Sequence, residues 1–384
     1  MPVSSEDSFR EYDVAADKRD IQILLVNSLD ERYGSTYRAR NIWKAFRALG
    51  YACTYIESNS DACAGEGRIS IAQRDTLSGY LRASLRRAQL VRSIPHQLTL
   101  IQKITPLTLF CILSAVFFKK THLVIDFDDL DSAFQKTALR RQLTRVLERV
   151  IPRFADAITT HSPYLQEYAL RHCGAGQVCY VPQVVDTRLF DPGRFIPERV
   201  KAELGFGQRR IAGYIGTFTE GGMRDFDRVL GHYARSCPGD DYLLLIVGGG
   251  PLRRKIEERI RSEFGIRHYH ITGLLPHEVT PRFISAMDVC FIAMRDDRGN
   301  RARVSLKVLE YLSMGKPVFG EVVGHTRTML GTYVLPFSSF AAGAMDGYAD
   351  QYRGCLREAR LYIERTLSMQ ALQGALQRIP FLKE

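Results

Sequence analysis

Lys307 and Glu310 stand three residues apart in "SLKVLEYLSMGKPV", residues 305–318. On a helix that spacing puts both on one face. Val308, Leu309 and Leu312 form the apolar face, Ser305 can cap the start, and Gly315-Lys316-Pro317 ends the element. The pair is either a surface ion pair on a structural helix or a cation and a carboxylate turned towards a cleft. Two glycine runs follow apolar strands: Gly216-Thr217 in "YIGTFTEGG" and Gly248, Gly249 and Gly250 in "LIVGGGP". Glycine lets the main chain approach a phosphate, and a helix N-terminus favours its charge. Neither run is specific alone. No G-x-G-x-x-G with a spaced acid and no Walker pattern is present, which disfavours a dinucleotide dehydrogenase and a P-loop enzyme. On the other side of the sequence, "HLVIDFDD" is a buried strand that ends in carboxylates.

The elements that must hold these residues alternate. Ile21–Val26 reads as a continuous apolar strand. A polar loop with Gly34-Ser35 follows, then a helix with Ile42, Trp43, Phe46 and Leu49 on one face, closed by Gly50, and then the strand "ACTYIE". This β-loop-α-β unit opens a parallel sheet, continued by "HLVIDFDD", "ADAITTHS" and "QVCYVPQ". Prolines and charge in "VVDTRLFDPGRFIPERVKAELGFGQRR" interrupt the rhythm. A second run then begins: "IAGYIGTF", "DYLLLIVGGG", "HYHITG", "VCFIAM" and "PVFGEV". With 384 residues, two α/β domains are expected.

Taken in order, "VPQVVDTRLFDP", "GYIGTF", "LLLIVGGGP", "ITGLLPHEV" and "SLKVLEYLSMGKPV" resemble glycosyltransferase family 4, the retaining sugar-nucleotide transferases of GT-B fold. The resemblance runs from about residue 21 to the C-terminus; the linker motif and the Glu310 helix are its most specific parts. It implies two Rossmann-like domains with parallel sheets facing a cleft. Residues 1–192 would take the acceptor (1–20 as a tail), 193–365 the nucleotide sugar, and 366–384 would cross back to the first domain. The glutamate matching Glu310 would hydrogen-bond the ribose. Gly216, Thr217, Gly249, Leu274 and Ser305 would border the donor, and Arg303 and Lys307 would offset diphosphate charge. Arg224 is open between phosphate contact and solvated charge. Gly34 and Ser35 would let the main chain approach the donor phosphate or the acceptor. No cofactor and no metal is required on this reading.

The sequence departs from the pattern. Many members carry E-x7-E, whose first glutamate contacts the donor sugar; eight residues before Glu310 stands Ala302, and Asp296 or Asp297 is the candidate substitute. The linker has "QVVD" where members often have "NGVD". Many members also show a histidine near the reacting sugar where this chain has "DFDD". Asp126, Asp128 or Asp129 then either lines the cleft, as a catalytic or sugar contact, or decorates a helix N-terminus. Asp126-Phe127-Asp128 has the D-x-D spacing of metal sites in the other glycosyltransferase fold, of which nothing else is present. His161 fits the acceptor side of the cleft, more as a packed residue than a catalytic one.

The net charge of +11 is uneven. No acid stands between Asp75 and Asp126, where Arg82, Arg86, Arg87, Arg92, Lys103, Lys119 and Lys120 fall. Leu77, Leu81 and Leu85 recur every four residues beside the first arginines, and the run "LTLFCILSAVFF" (107–118) is well short of the ~20 residues that span a bilayer. The segment is either a buried helix plus a solvated basic one or a contact with an anionic membrane surface. Scattered cysteines without C-x-x-C pairs point to a reducing compartment, and the polar N-terminus reads as neither signal nor transit peptide. The expectation is a cytoplasmic glycosyltransferase, peripheral at the inner face of the membrane, with a lipid-linked or glycan acceptor and no nucleic acid partner. The alternative is a catalytically silent sugar-nucleotide or membrane-binding protein of the same fold.

Overall fold

Apolar runs closed by glycine or polar turns become the strands of two parallel sheets in a computed structural model, which describes residues 19–30, 34–59, 67–74, 76–119, 121–135, 137–173 and 177–382. The first sheet contains β1 (Arg19–Asp30), β2 (Tyr51–Ser58), β3 (Arg68–Ile71), β4 (Leu98–Gln102), β5 (His122–Asp126), β6 (Ala157–Thr160) and β7 (Val178–Tyr180). Its order is β3-β2-β1-β4-β5-β6-β7. The second contains β8 (Arg210–Ile215), β9 (Tyr242–Val247), β10 (Tyr269–Ile271), β11 (Val289–Ala293), β12 (Val318–Glu321) and β13 (Val334–Leu335), in the order β10-β9-β8-β11-β12-β13. Both orders reverse direction beside the first strand of the sheet. That reversal opens a crevice at the carboxyl ends of the strands, where α/β proteins bind ligands.

Each sheet is covered on both faces by apolar cores. On one face of the first sheet, Ile42, Trp43 and Phe46 of the helix Tyr37–Ala48 pack with Leu372, Leu376 and Ile379 from the end of the chain. On the other face, the helices Leu77–Ser93, Leu109–Ser114 and Pro163–Cys173 supply Leu90, Ile112 and Leu165. The chain passes between the domains near residues 182–185 and again at 367–369. There the Val185 N–H donates to the Leu367 carbonyl at 3.0 Å.

The basic segment folds differently from its leucine period. The helix Leu77–Ser93 buries Ala83, Ser84, Ala88 and Val91 and turns Leu77, Leu81 and Leu85 outward; Leu77 is 87% exposed. Arg87 is fully buried, donating to Ser58 Oγ at 2.5 Å and Gln73 Oε1 at 2.7 Å. Lys103 is buried too. Neither side chain is available to a membrane surface, whereas Arg82, Arg86 and Arg92 are exposed. "LTLIQ", within this stretch, forms strand β4. Lys120 lies outside the described residues, as does the side chain of Lys119. Among the described residues no helix is long and apolar enough to cross a membrane.

Candidate active site

The cleft between the two sheets encloses a cavity of about 660 Å³, within the range of small-molecule sites. Its second-domain wall is built on the helix Leu306–Ser313. Gly315, at φ +64°, ends that helix in the left-handed region that glycine adopts freely. The Ser305 side chain makes no capping bond; instead its N–H donates to Thr326 Oγ1 at 3.0 Å. Ser305, Lys307 and Glu310 all border the cavity. Lys307 and Glu310 do not pair. Lys307 Nζ lies 3.1 Å from Tyr214 Oη and 4.3 Å from that ring's centre, while Glu310 Oε1 accepts from His277 Nε2 at 2.7 Å. Gly216, Thr217, Leu274 and Arg303 line the same space.

Gly248 (φ +140°) and Gly249 serve the loops themselves. A Cβ on Gly248 would stand 2.0 Å from the Gly216 carbonyl oxygen, and one on Gly249 2.9 Å from the Leu274 nitrogen. The run brings three loops together, main chain against main chain; Gly248 reaches the cavity, while Gly249 faces the Gly273–Leu274 loop. Arg224 is exposed on its helix and is not among the lining residues. Asp296 also lies outside the cavity: it is paired with Arg301, with Arg301 Nη2 2.7 Å from Asp296 Oδ2. Asp297 does line the cavity, and its Oδ1 accepts from the Asn300 N–H at 2.9 Å. Beneath this loop, Asp225 accepts from Arg295 Nε at 2.7 Å and from Asn300 Nδ2 at 3.2 Å, and Asn300 Oδ1 accepts from Arg303 at 2.7 Å. This network orients Arg303 over the cleft. Sequence reading missed Asp225 and Asn300, because a single aspartate on one helix and a single asparagine in the five-residue helix Arg298–Ala302 carry no periodic signal.

The first-domain wall carries the carboxylates. Asp126 is withdrawn from it. Its side chain is fully buried, gripped by Arg38 through Nε at 2.8 Å and Nη2 at 2.7 Å, and bonded by Thr159 Oγ1 at 2.6 Å. It anchors the start of a helix, since Arg38 also donates to the carbonyls of Val181 and Pro182. Asp128 and Asp129 reach the cavity. Behind them Lys103, held at φ +67°, sets its Nζ 2.5 Å from Asp129, 3.1 Å from Asp128 and 3.4 Å from Asp131. Burial pushes Asp128 up to about 7 and Asp131 up to about 8, with Lys103 opposing and neighbouring acids adding. Burial acts on Asp129 too, but Lys103 and Arg303 outweigh it and hold its carboxyl below the ordinary range. His161 borders the cavity with Nε2 2.5 Å from the Asp128 carbonyl. Burial, with Arg38 nearby, lowers it to about 4, so it is neutral at pH 7, and its Nδ1 has no hydrogen-bond partner among the described residues. Gly34 lines the cavity; the side chain of Ser35 lies outside the described part of the structure.

The chain can therefore offer cations and helix N–H groups on one wall, and an ionised carboxylate and a neutral imidazole on the other. Residues 209–342 match the family described as "Glycosyl transferases group 1". The chain is 28% identical over 126 residues to the 2-deoxystreptamine N-acetyl-D-glucosaminyltransferase of Streptomyces fradiae, covering 32% of this chain and 28% of that protein. It is 27% identical over 192 residues to the 2-deoxystreptamine glucosyltransferase of Streptomyces kanamyceticus, covering 48% of each. These matches span less than half the length of either relative. Among solved structures, sucrose-phosphate synthase from Thermosynechococcus elongatus superposes with a TM-score of 0.74 at 17% identity, over 95% of this chain and 100% of that one. Anabaena Alr3699/HepE in complex with UDP and glucose gives 0.68 at 13%, over 93% and 98%. The chain thus has the GT-B glycosyltransferase fold, and the stretch that matches the group 1 glycosyl transferases is the domain that carries Glu310.

Proposed function

We propose that the protein moves a sugar from a nucleoside diphosphate sugar to an acceptor hydroxyl with retention of configuration, as family 4 enzymes do. The observation that carries this reading is convergence: Glu310, Lys307 and Arg303 face Asp128, Asp129 and His161 across one cavity. Glu310 accepts from the ribose hydroxyls. The first turn of the Leu306–Ser313 helix, with Arg303 and Lys307, stabilises the diphosphate as it departs. Asp129, the carboxylate kept ionised, and the unpartnered Nδ1 of His161 hold hydroxyls on the acceptor side. The residues needed for these contacts are all supplied by the chain, with no metal invoked.

The acceptor is lipid-linked or a membrane-borne glycan on this reading, and the protein sits peripherally at the cytoplasmic face. Support comes from one face of the first domain. Leu77, Leu81, Leu85, Phe117 and Phe118 are exposed there beside Arg82, Arg86 and Arg92. On the same side, the helix Ala138–Val150 turns Leu139, Leu143, Val146 and Val150 outward, flanked by Arg140, Arg141 and Arg149. Spacings of four, three and four place these apolar residues in one stripe. Leucines between arginines fit an anionic lipid interface. Two relatives are named for 2-deoxystreptamine, so a small soluble acceptor is the competing case.

A thermal-shift panel with UDP-, GDP- and ADP-sugars, followed by transfer and hydrolysis assays, tests the proposal. One nucleotide should raise the melting temperature and support transfer. Binding without turnover would identify a silent sugar-nucleotide-binding protein. No response to any nucleotide sugar would sink the donor-site reading.

A further inference from the structure

The rings of Tyr37 and His277 lie face to face, with centroids 3.8 Å apart and planes inclined by 21°. Tyr37 begins the helix after β1 in the first domain; His277 belongs to the short turn His277–Val279 after β10 in the second. The contact therefore crosses the cleft, and both residues line it. His277 Nε2 meets Glu310 Oε1 at 2.7 Å, the one hydrogen bond to that carboxylate among the described residues. The Phe190 ring, from the linker, stands 5.1 Å from the imidazole. Glu310 itself is 3% exposed.

A buried carboxylate held by one donor keeps its direction only while that donor keeps its own. The imidazole can turn about its bond to Cβ, and a ring stacked against it removes that freedom. We infer that Tyr37 is a cross-cleft clamp: when the domains close, its ring seats on His277, fixes the imidazole plane, and so sets the Glu310 carboxylate for the ribose. Tyr37 and His277 are positioning residues acting through Glu310. Through this contact the first domain influences donor affinity, and donor grip is strongest in the closed form. The inference rests on the donor-site reading of Glu310.

Calorimetric titration of the full chain with UDP, GDP and ADP tests it on the wild type, Tyr37→Ala, Tyr37→Phe, His277→Ala, Glu310→Ala and the Tyr37→Ala/His277→Ala double variant. Tyr37→Ala should weaken the preferred diphosphate roughly three- to tenfold, while Tyr37→Phe, which keeps the stack, stays within about twofold of wild type. The double variant should bind no more weakly than His277→Ala alone, because both act through one contact. In transfer assays the donor KM should rise more than kcat falls. Circular dichroism checks each fold, and Tyr37→Leu, which keeps bulk without the ring, should behave as Tyr37→Ala does. Equal or tighter binding by Tyr37→Ala and Tyr37→Leu would overturn the clamp, because the ring would then merely fill space that the nucleotide needs. If Glu310→Ala also binds normally, the donor-site reading itself has failed; if it alone is weak, only the clamp is lost.

Discussion

Ser162 Oγ donates to the main-chain carbonyl of Ala302 at 2.6 Å, a hydrogen bond from the first domain to the second. Ala302 is fully buried and its side chain packs into the apolar core of the first domain. The position that the E-x7-E pattern gives to a sugar-contacting glutamate is here an interdomain seat. A glutamate would place an unpaired charge in that core. Ala302→Glu is therefore expected to open the interface or to cost on the order of 3 kcal/mol of stability. Scattering should show a larger radius of gyration, or the melting temperature should fall. A gain in transfer with neither change would contradict this assignment.

Loss of the Glu310 carboxylate removes a charged acceptor of ribose hydroxyls. Glu310→Ala should weaken the preferred nucleoside diphosphate by roughly 1.5–3 kcal/mol with the fold intact. Unchanged calorimetric affinity would show that the ribose is held elsewhere.

Asp296 and Asp297 separate cleanly. Asp296 is outside the cavity and paired with Arg301, so Asp296→Ala should leave transfer within about twofold of wild type, as surface substitutions generally do. Asp297→Ala removes the cap on Asn300 and loosens the network that reaches Arg303. Its transfer rate should drop more than its affinity for the free diphosphate. A matching loss in both variants would mean that the loop matters only as a whole.

Among the basic residues, membrane contact is expected to depend on the exposed arginines and not on the buried ones. Replacing Arg82, Arg86, Arg140 and Arg141 by glutamine should strip most binding to anionic vesicles, at roughly 1 kcal/mol per basic group. Wild-type binding should fall with salt. Arg87 is buried, so its loss should show as lower thermal stability rather than weaker flotation. If the wild type fails to float with anionic vesicles at low salt, the acceptor is a soluble molecule.

Burial raises Asp131 from the ordinary 3.8 to about 8. Between those values the folded chain keeps a proton that the unfolded chain releases. Its contribution to stability is whole below the ordinary carboxylate range and disappears as pH rises towards 8. Asp129 is shifted the other way, so its contribution is lost as pH falls. Asp131→Asn, neutral throughout, should melt progressively higher relative to wild type as pH increases across that window. A difference in melting temperature that does not vary with pH would rule out titration of Asp131.

What the sequence made legible were the features carried by local chemistry. The Glu310 helix is closed by its own glycine and proline, and β8, β9 and β11 are apolar runs with polar ends. What stayed hidden depends on partners far along the chain. The leucine period in residues 77–85 finds a face but cannot say which face the sheet will cover, and the covered one holds Arg87. Asp126 looked available because Arg38, which neutralises it, lies 88 residues earlier. β4 is only five residues long and stands in a basic stretch without acids, so it drew no separate reading as a strand. The Tyr37–His277 stack exists only once both sheets are formed and facing.

The bond between Val185 and Leu367 laces the two interdomain passages side by side. One strap would leave the halves free to swivel. Two straps sewn together act as the spine of a book: the covers swing along a single arc and resist shear. Each closing then repeats the same path, and a ring on one cover meets its counterpart on the other without searching for it.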